Sequence, residues 1–241
     1  MINYLRTGEP LSLQTPEIRD FIVRAVNYLD DPTVNEKPTK PADYRNSDLL
    51  EAFDEQFFSK CYLTEQKYFT SWEMDIDHFT SYTERPDLVY EWRNLLPCSH
   101  DANMMKPRRS PEGGYLDPCN PDEDVEVEII YTLSAQAETP SFTPRDDVNV
   151  KSVNTAKLLD KVHNGHNKDS KIKTSGIRNA IRKKCWTINE KIIEWLAAEE
   201  GSQEKFQAER ELRDHLSRTS SFTMLCRSLP TVQRYCKHFF D

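Results

Sequence analysis

The chain has 241 residues, 37% hydrophobic and 30% charged, with a formal net charge of -8. That is enough apolar material for a core and too polar a mixture for a membrane protein, and no apolar run approaches the roughly 18 residues that span a bilayer. Residues 1–10 carry Arg6 and Glu9 instead of an apolar export stretch, so the expectation is a soluble cytoplasmic protein of one elaborated domain or two small ones.

Helical periodicity begins at 16–29 (PEIRDFIVRAVNYL), where Ile18, Phe21, Ile22, Ala25, Val26 and Leu29 share one side and Thr15 precedes Pro16 as a cap. Residues 30–46 hold three prolines and read as a linker. Ser47 is placed to cap a second helix over 48–58, with Leu49, Leu50, Phe53, Phe57 and Phe58 apolar. From 61 to 79 the pattern is short, aromatic and β-branched (CYLTEQKYFTSW, then MDIDHF), which predicts two strands joined by a turn.

Residues 87–96 and 99–106 read as helices, 107–121 as loop and 125–133 (VEVEIIYTL) as a strand. No period marks 134–150; 153–162 predicts a short helix and 164–174 a mobile segment. The clearest helix is 177–198, with Ile181, Cys185, Ile188, Ile192, Trp195 and Leu196 in a stripe, and 204–216, 222–229 and 232–240 complete a helical C-terminal part. Six cysteines spread along a chain with no export signal are expected as reduced thiols.

Charge is segregated. Residues 1–150 hold 14 Lys and Arg against 29 Asp and Glu, whereas 151–185 hold 10 against 2. The overall acidity argues against a general nucleic-acid binder, yet the basic block could track a phosphate backbone or dock on the acidic half of a complex. His163 and His166 lack nearby carboxylates or thiols and read as loop residues, and the acids of 122–128 read as a solvated strand edge, with a protein-facing surface that repels nucleic acid as the alternative.

In one stretch Asp77 and His78 are adjacent at the end of a predicted strand, Asn94 follows 16 residues later, and Asn103 another 9. This ordered set of polar residues resembles the Asp-His, Asn and terminal Asn of HNH endonucleases, and what that resemblance implies makes chemical sense for phosphodiester hydrolysis. An imidazole titrating near neutrality suits the base that deprotonates water, so His78 takes that role. A hard divalent ion, Mg²⁺ or Mn²⁺, wants oxygen ligands with positions left open, which Asp77 and the Asn103 amide oxygen can supply. Because alternate strand residues face opposite ways, Asp77 and His78 can converge only at a strand end or bulge. Lys106, one helical turn beyond Asn103, and the following Arg108 and Arg109 are the candidates for gripping substrate phosphates; a solvated loop is the competing reading.

The ordered Asp-His, Asn and Asn resembles the active site of HNH endonucleases. That resemblance implies an α+β fold with a ββα-metal core, N-terminal helices and a helical C-terminal part, and it gives Asn94 the task of holding the loop that orients His78. The sequence of motifs KCYLTE, DIDHF, YEWRNLL, N-x-x-K and YLDPCNPDED is similar, over about residues 55–135, to the HNH subunit of Septu-type antiphage systems and their retron-associated relatives. It implies an ABC-type ATPase as partner and, in retron versions, a reverse transcriptase with its multicopy single-stranded DNA. The division that follows is 1–46 for the N-terminal helix and linker, 47–135 for the nuclease core, and 136–241 for the basic segment and helical region.

The chain departs from that family at the zinc knuckle. The positions of the two C-x-x-C pairs are Cys61 with Thr64 and Ser99 with Ala102, so one ligand of four remains and a structural zinc is expected to be absent. A rearranged site from Cys61, Cys98, His100 and Cys119 stays open beside the reading of these cysteines as apolar fillers. Stabilisation would then fall on Tyr62, Tyr68, Phe69 and Trp72 or on a partner protein. The rival to the nuclease is an HNH-derived scaffold that docks an ATPase.

Overall fold

A computed structural model describes residues 1–41, 45–133 and 139–241. The first helix, α1 (Pro16–Asp30), begins as its sequence demands: the Thr15 side chain accepts from the Ile18 amide, and Pro16 fills a position whose N–H needs no partner. Ile18, Phe21 and Ala25 are buried, while Val26 and Leu29, on the flank of the stripe, face solvent. The second helix, α2 (Ser47–Gln56), starts one residue earlier than expected. Ser47 is its first residue and not its cap, which is Asn46.

The strand pairing differs from the expectation. Residues 61–74 fold into turns, with a single bridge between Lys60 and Lys67, because their amides bond locally, as in Cys61 to Gln66 and Glu65 to Cys61. Of the aromatics there, Tyr62 is buried, but Phe69 and Trp72 lie on the surface. Strand β1 (Asp75–His78) pairs forward instead, antiparallel to β2 (Leu95–Cys98), with Asp75 opposite Cys98 and His78 opposite Leu95. Residues 87–96 are therefore two 3-10 turns and the start of a strand, not a helix. Pro97 is the reason: it disfavours helical geometry at Leu96, and four successive buried residues suit a strand covered on both faces.

Helix α3 (His100–Met105) follows directly, as expected. The expected strand at 125–133 is split. The Asp124 side chain accepts from the Glu126 and Val127 amides and winds one turn, α4 (Val125–Glu128), before β3 (Ile129–Thr132). β3 pairs antiparallel with β4 (Ser141–Pro144); residues 134–138 of the aperiodic stretch lie outside the described residues.

Helix α5 (Val150–Asn164) outruns the expected 153–162 because Asn149 caps it through the Lys151 and Ser152 amides. It ends at Gly165, whose φ is 69° and where a Cβ would stand 2.6 Å from the Lys171 nitrogen, so only glycine fits. The segment 164–174 contains a short helix: Asn167 and Ser170 form a reciprocal capping box that starts α6 (Lys168–Lys173). α7 (Ser175–Ala197), α8 (Gln203–Leu216), α9 (Thr223–Arg227) and α10 (Pro230–Tyr235) complete the helical part.

Among the described residues, helices make up about 51% and strands form two small antiparallel sheets, which makes the class α+β. Buried apolar residues from Met1 to Phe239 belong to one cluster, so all three expected segments share a core. Under it lies an ion pair: Lys60 Nζ is 3.4 Å from Glu65 Oε2, and the Met1 amino group is 2.7 Å from Glu65 Oε1. Burial pushes the Glu65 carboxyl up, but these two cations outweigh it and hold it at about 2. Among the described residues, no helix is long and apolar enough to cross a membrane.

Candidate functional site

The hairpin β1–β2 and helix α3 bring the candidate residues to one place. His78 is the last residue of β1, and this strand end lets both it and Asp77 line one cavity of about 410 Å³ with Asn103, Lys106 and Arg108. Asp77 and His78 are both nearly buried.

The 16 residues between the strands are closed by Asn94. Its side-chain oxygen accepts from the Thr80 amide at 2.7 Å, and its Nδ2 donates to the carbonyls of Thr80 and Leu88, each at 3.0 Å. Its backbone oxygen accepts from the Phe79 amide. Asn94 therefore lies behind the cavity as the clasp of the loop that carries Val89. The Val89 carbonyl lies 3.0 Å from His78 Nε2. A carbonyl only accepts, so Nε2 holds a proton and Nδ1 is the ring nitrogen able to take one. Burial is the largest influence on this imidazole and lowers its pKa below the usual 6.5, against the raising effects of the Val89 carbonyl and Asp77. The ring is thus neutral at pH 7.

Asp77 Oδ2 accepts from Tyr62 Oη at 2.6 Å and from Lys106 Nζ at 2.6 Å. The Lys106 ammonium also reaches the carbonyls of His78 at 2.7 Å and Phe79 at 3.2 Å. Three oxygens thus converge on one cation inside the cavity wall, and Lys106, expected at a substrate phosphate, is spent on the protein itself. Asn103 is not bonded to Asp77. Its Nδ2 donates to Asp75 Oδ2 at 3.0 Å, an oxygen shared with His100 Nδ1 at 3.0 Å. Arg108 reaches the cavity; Arg109 is exposed and outside its lining.

Sequence reasoning missed Asp75, Tyr62 and the Val89 carbonyl. Asp75 had a signal, since MDID places two acids on one strand face. Tyr62 lies 15 residues from Asp77 and had none, because a buried tyrosine reads as core.

At the position of the zinc knuckle, Cys61 and Cys98 are fully buried with their sulfurs 4.0 Å apart. Burial raises the Cys61 thiol, but hydrogen bonds from Cys98, from the Ser99 and Thr64 amides and from the Thr64 hydroxyl outweigh it and hold it at about 6. His100 points to Asp75 and Cys119 lines a separate cavity beside Arg6. The set Cys61, Cys98, His100 and Cys119 is thus not gathered, and among the described residues no three His, Cys, Asp or Glu side chains are placed to hold a metal.

Two minor expectations change. His163 is no loop residue: it is buried in α5 with Nδ1 2.8 Å from the Leu159 carbonyl, and burial lowers it to about 4. The acids of 122–128 are not a bare strand edge. Glu123 pairs with Lys151, Glu126 with Arg218, and Glu128 accepts from Ser152. In the basic block, Arg178 is spent on the carbonyls of His163, Asn164 and Lys171, and Lys184 on His215 and Ser220.

Compared with protein-family models, curated proteins and solved structures, the chain matches none.

Proposed function

We propose that the chain is a metal-dependent endonuclease of HNH type, hydrolysing phosphodiesters of DNA or RNA. The observation that supports this reading is that Asp77, His78 and Asn103 line one cavity at the end of a two-stranded hairpin followed by α3.

The chain's own residues have definable tasks. His78, neutral at pH 7 and held through Nε2 by the Val89 carbonyl, takes a proton from water at Nδ1. Asn94 keeps that carbonyl in place by clasping Thr80 and Leu88. Arg108, in the cavity lining, offers a guanidinium to the phosphate.

The donor set fits a hard divalent ion in kind: Asp77 Oδ2 and the His78 and Phe79 carbonyls are oxygens already converging on a cation, the Lys106 ammonium. Asp77 and Asn103 would hold Mg²⁺ or Mn²⁺, which when bound supplies Lewis-acid stabilisation of the phosphate and leaving oxygen. Lys106 must first withdraw from Asp77, since two cations cannot share the point it occupies. The same pairing favours a second reading, an HNH-derived scaffold in which Lys106 has taken the place of the ion and the chain docks an ATPase.

Cleavage of plasmid, single-stranded DNA and tRNA by the protein, alone and with an ABC-type ATPase, with and without Mg²⁺, separates the two. Metal-dependent cutting lost in His78→Ala is expected; equal cutting by wild type and variant, or none under any condition, leaves the scaffold.

A further inference from the structure

Helix α7 carries two stripes at heptad spacing on opposite sides. Ile181, Cys185, Ile188 and Ile192 face inward and are buried. The other stripe, Gly176, Asn179, Lys183, Trp186, Glu190, Ile193 and Ala197, is exposed along its whole length. Trp186 is 62% exposed and Ile193 66%, and Ile172, at the end of α6, is 63% exposed. A surface helix needs one apolar stripe, and single exposed apolar residues are ordinary. A tryptophan and an isoleucine seven residues apart along one unpartnered seam are the pattern of a helix that packs twice.

We propose that this seam pairs with the same seam of a second copy, antiparallel and about a two-fold axis between Lys184 and Cys185. That register sets Trp186 against Lys183 of the other copy, Ile193 against Gly176, and Ile172 against Ala197. Each isoleucine then meets a small residue, and the tryptophan face meets an ammonium. Such an interface is isologous, so each contact occurs twice.

Charge selects this occupant. Lys168, Lys171 and Lys173 are exposed at one end of the seam and have no acidic partner among the described residues. Glu194, Glu199 and Glu200 are exposed at the other end; Glu194 also pairs with Lys191 and Glu200 with Lys205 of the same chain, while Glu199 has no cationic partner among the described residues. Antiparallel pairing of two copies joins the basic end of each to the acidic end of the other. A nucleic acid laid on Trp186 would meet phosphate repulsion from those glutamates and gain nothing from Ile193.

The seam is 23 residues long in α7, about 35 Å, and about 10 Å wide. That is less than the roughly 1,200–2,000 Å² buried in standard-size complexes, so the association is weak and reversible.

Sedimentation equilibrium of the full chain from about 1 to about 200 μM tests this, with circular dichroism confirming that each variant is folded. Wild type is expected to dimerise reversibly, and Trp186→Ala to raise the Kd at least about tenfold. Lys171→Glu with Lys173→Glu should weaken the dimer at low salt, and adding Glu199→Lys and Glu200→Lys should restore it. A monomer at every concentration, a dimer indifferent to these changes, or a monomer that binds a single-stranded oligonucleotide through Trp186 overturns the proposal. None of these readouts depends on nuclease activity.

Discussion

Asp77 Oδ2 stands 2.6 Å from Lys106 Nζ and 2.6 Å from Tyr62 Oη, so one carboxylate oxygen holds an ammonium and a phenol in a nearly buried site. In Lys106→Met the carboxylate keeps only its neutral donor. Removing one partner of a buried pair costs about 3 kcal/mol. The variant is expected to melt below wild type in EDTA and to regain most of that loss in millimolar Mg²⁺, because a divalent ion then fills the place of the ammonium. Melting of the variant that ignores Mg²⁺ and Mn²⁺ removes Asp77 as a metal ligand.

His78 governs the pH dependence of cleavage. Its folded pKa lies below 6.5, so the base form dominates at neutrality and is lost as pH falls through the lowered value. Initial rates measured from pH 5 to 8 at saturating Mg²⁺ should rise and level off before pH 7, with His78→Ala inactive throughout. A rising limb centred above 6.5 contradicts the assignment.

Asn94→Ala deletes three side-chain hydrogen bonds that tie Thr80 and Leu88. The cost should be about 3 kcal/mol, at roughly 1 kcal/mol for each bond. Freeing the Val89 carbonyl lowers kcat while the Mg²⁺ concentration for half-maximal rate stays put. Urea titration and metal titration of the rate check the two halves; a shift in metal dependence alone would make Asn94 a ligand instead of a clasp.

His163 makes the fold acid-sensitive. Its folded pKa of about 4 lies below the unfolded value of about 6.5, so the unfolded chain binds more protons and stability falls as pH drops from about 6.5 to about 4. The difference corresponds to about 3 kcal/mol. Urea midpoints across this window should flatten in His163→Phe, whose ring keeps the contact with Phe142 at the site where the centroids now lie 4.6 Å apart. An unchanged slope points to other groups.

Glu65 is the hub of the buried ion cluster, facing Lys60 and the Met1 amino group. Glu65→Gln leaves both cations underneath the core with a neutral partner and is expected to cost about 3–5 kcal/mol by urea unfolding. The double variant with Lys60→Met should lose less than Glu65→Gln alone, since no buried lysine is then stranded.

The long helices α1, α7 and α8 were legible in the sequence because their signals act within a turn: Thr15 and Pro16 open α1, and the stripe Ile181, Cys185, Ile188, Ile192 repeats within α7. So was the order of Asp77, His78, Asn94 and Asn103. Strand pairing was not, because a four-residue strand has no partner written into it; β1 chose residues 95–98 over its neighbours at 61–72 once Pro97 and the Asn94 clasp closed the loop. Nor did spacing say that Lys106 would turn onto Asp77, that Tyr62 would meet the same oxygen, or that Asn103 would bind Asp75. Those partners lie 15 to 29 residues apart, and contacts at such separations exist only after the core has packed and burial has made each polar group find a mate.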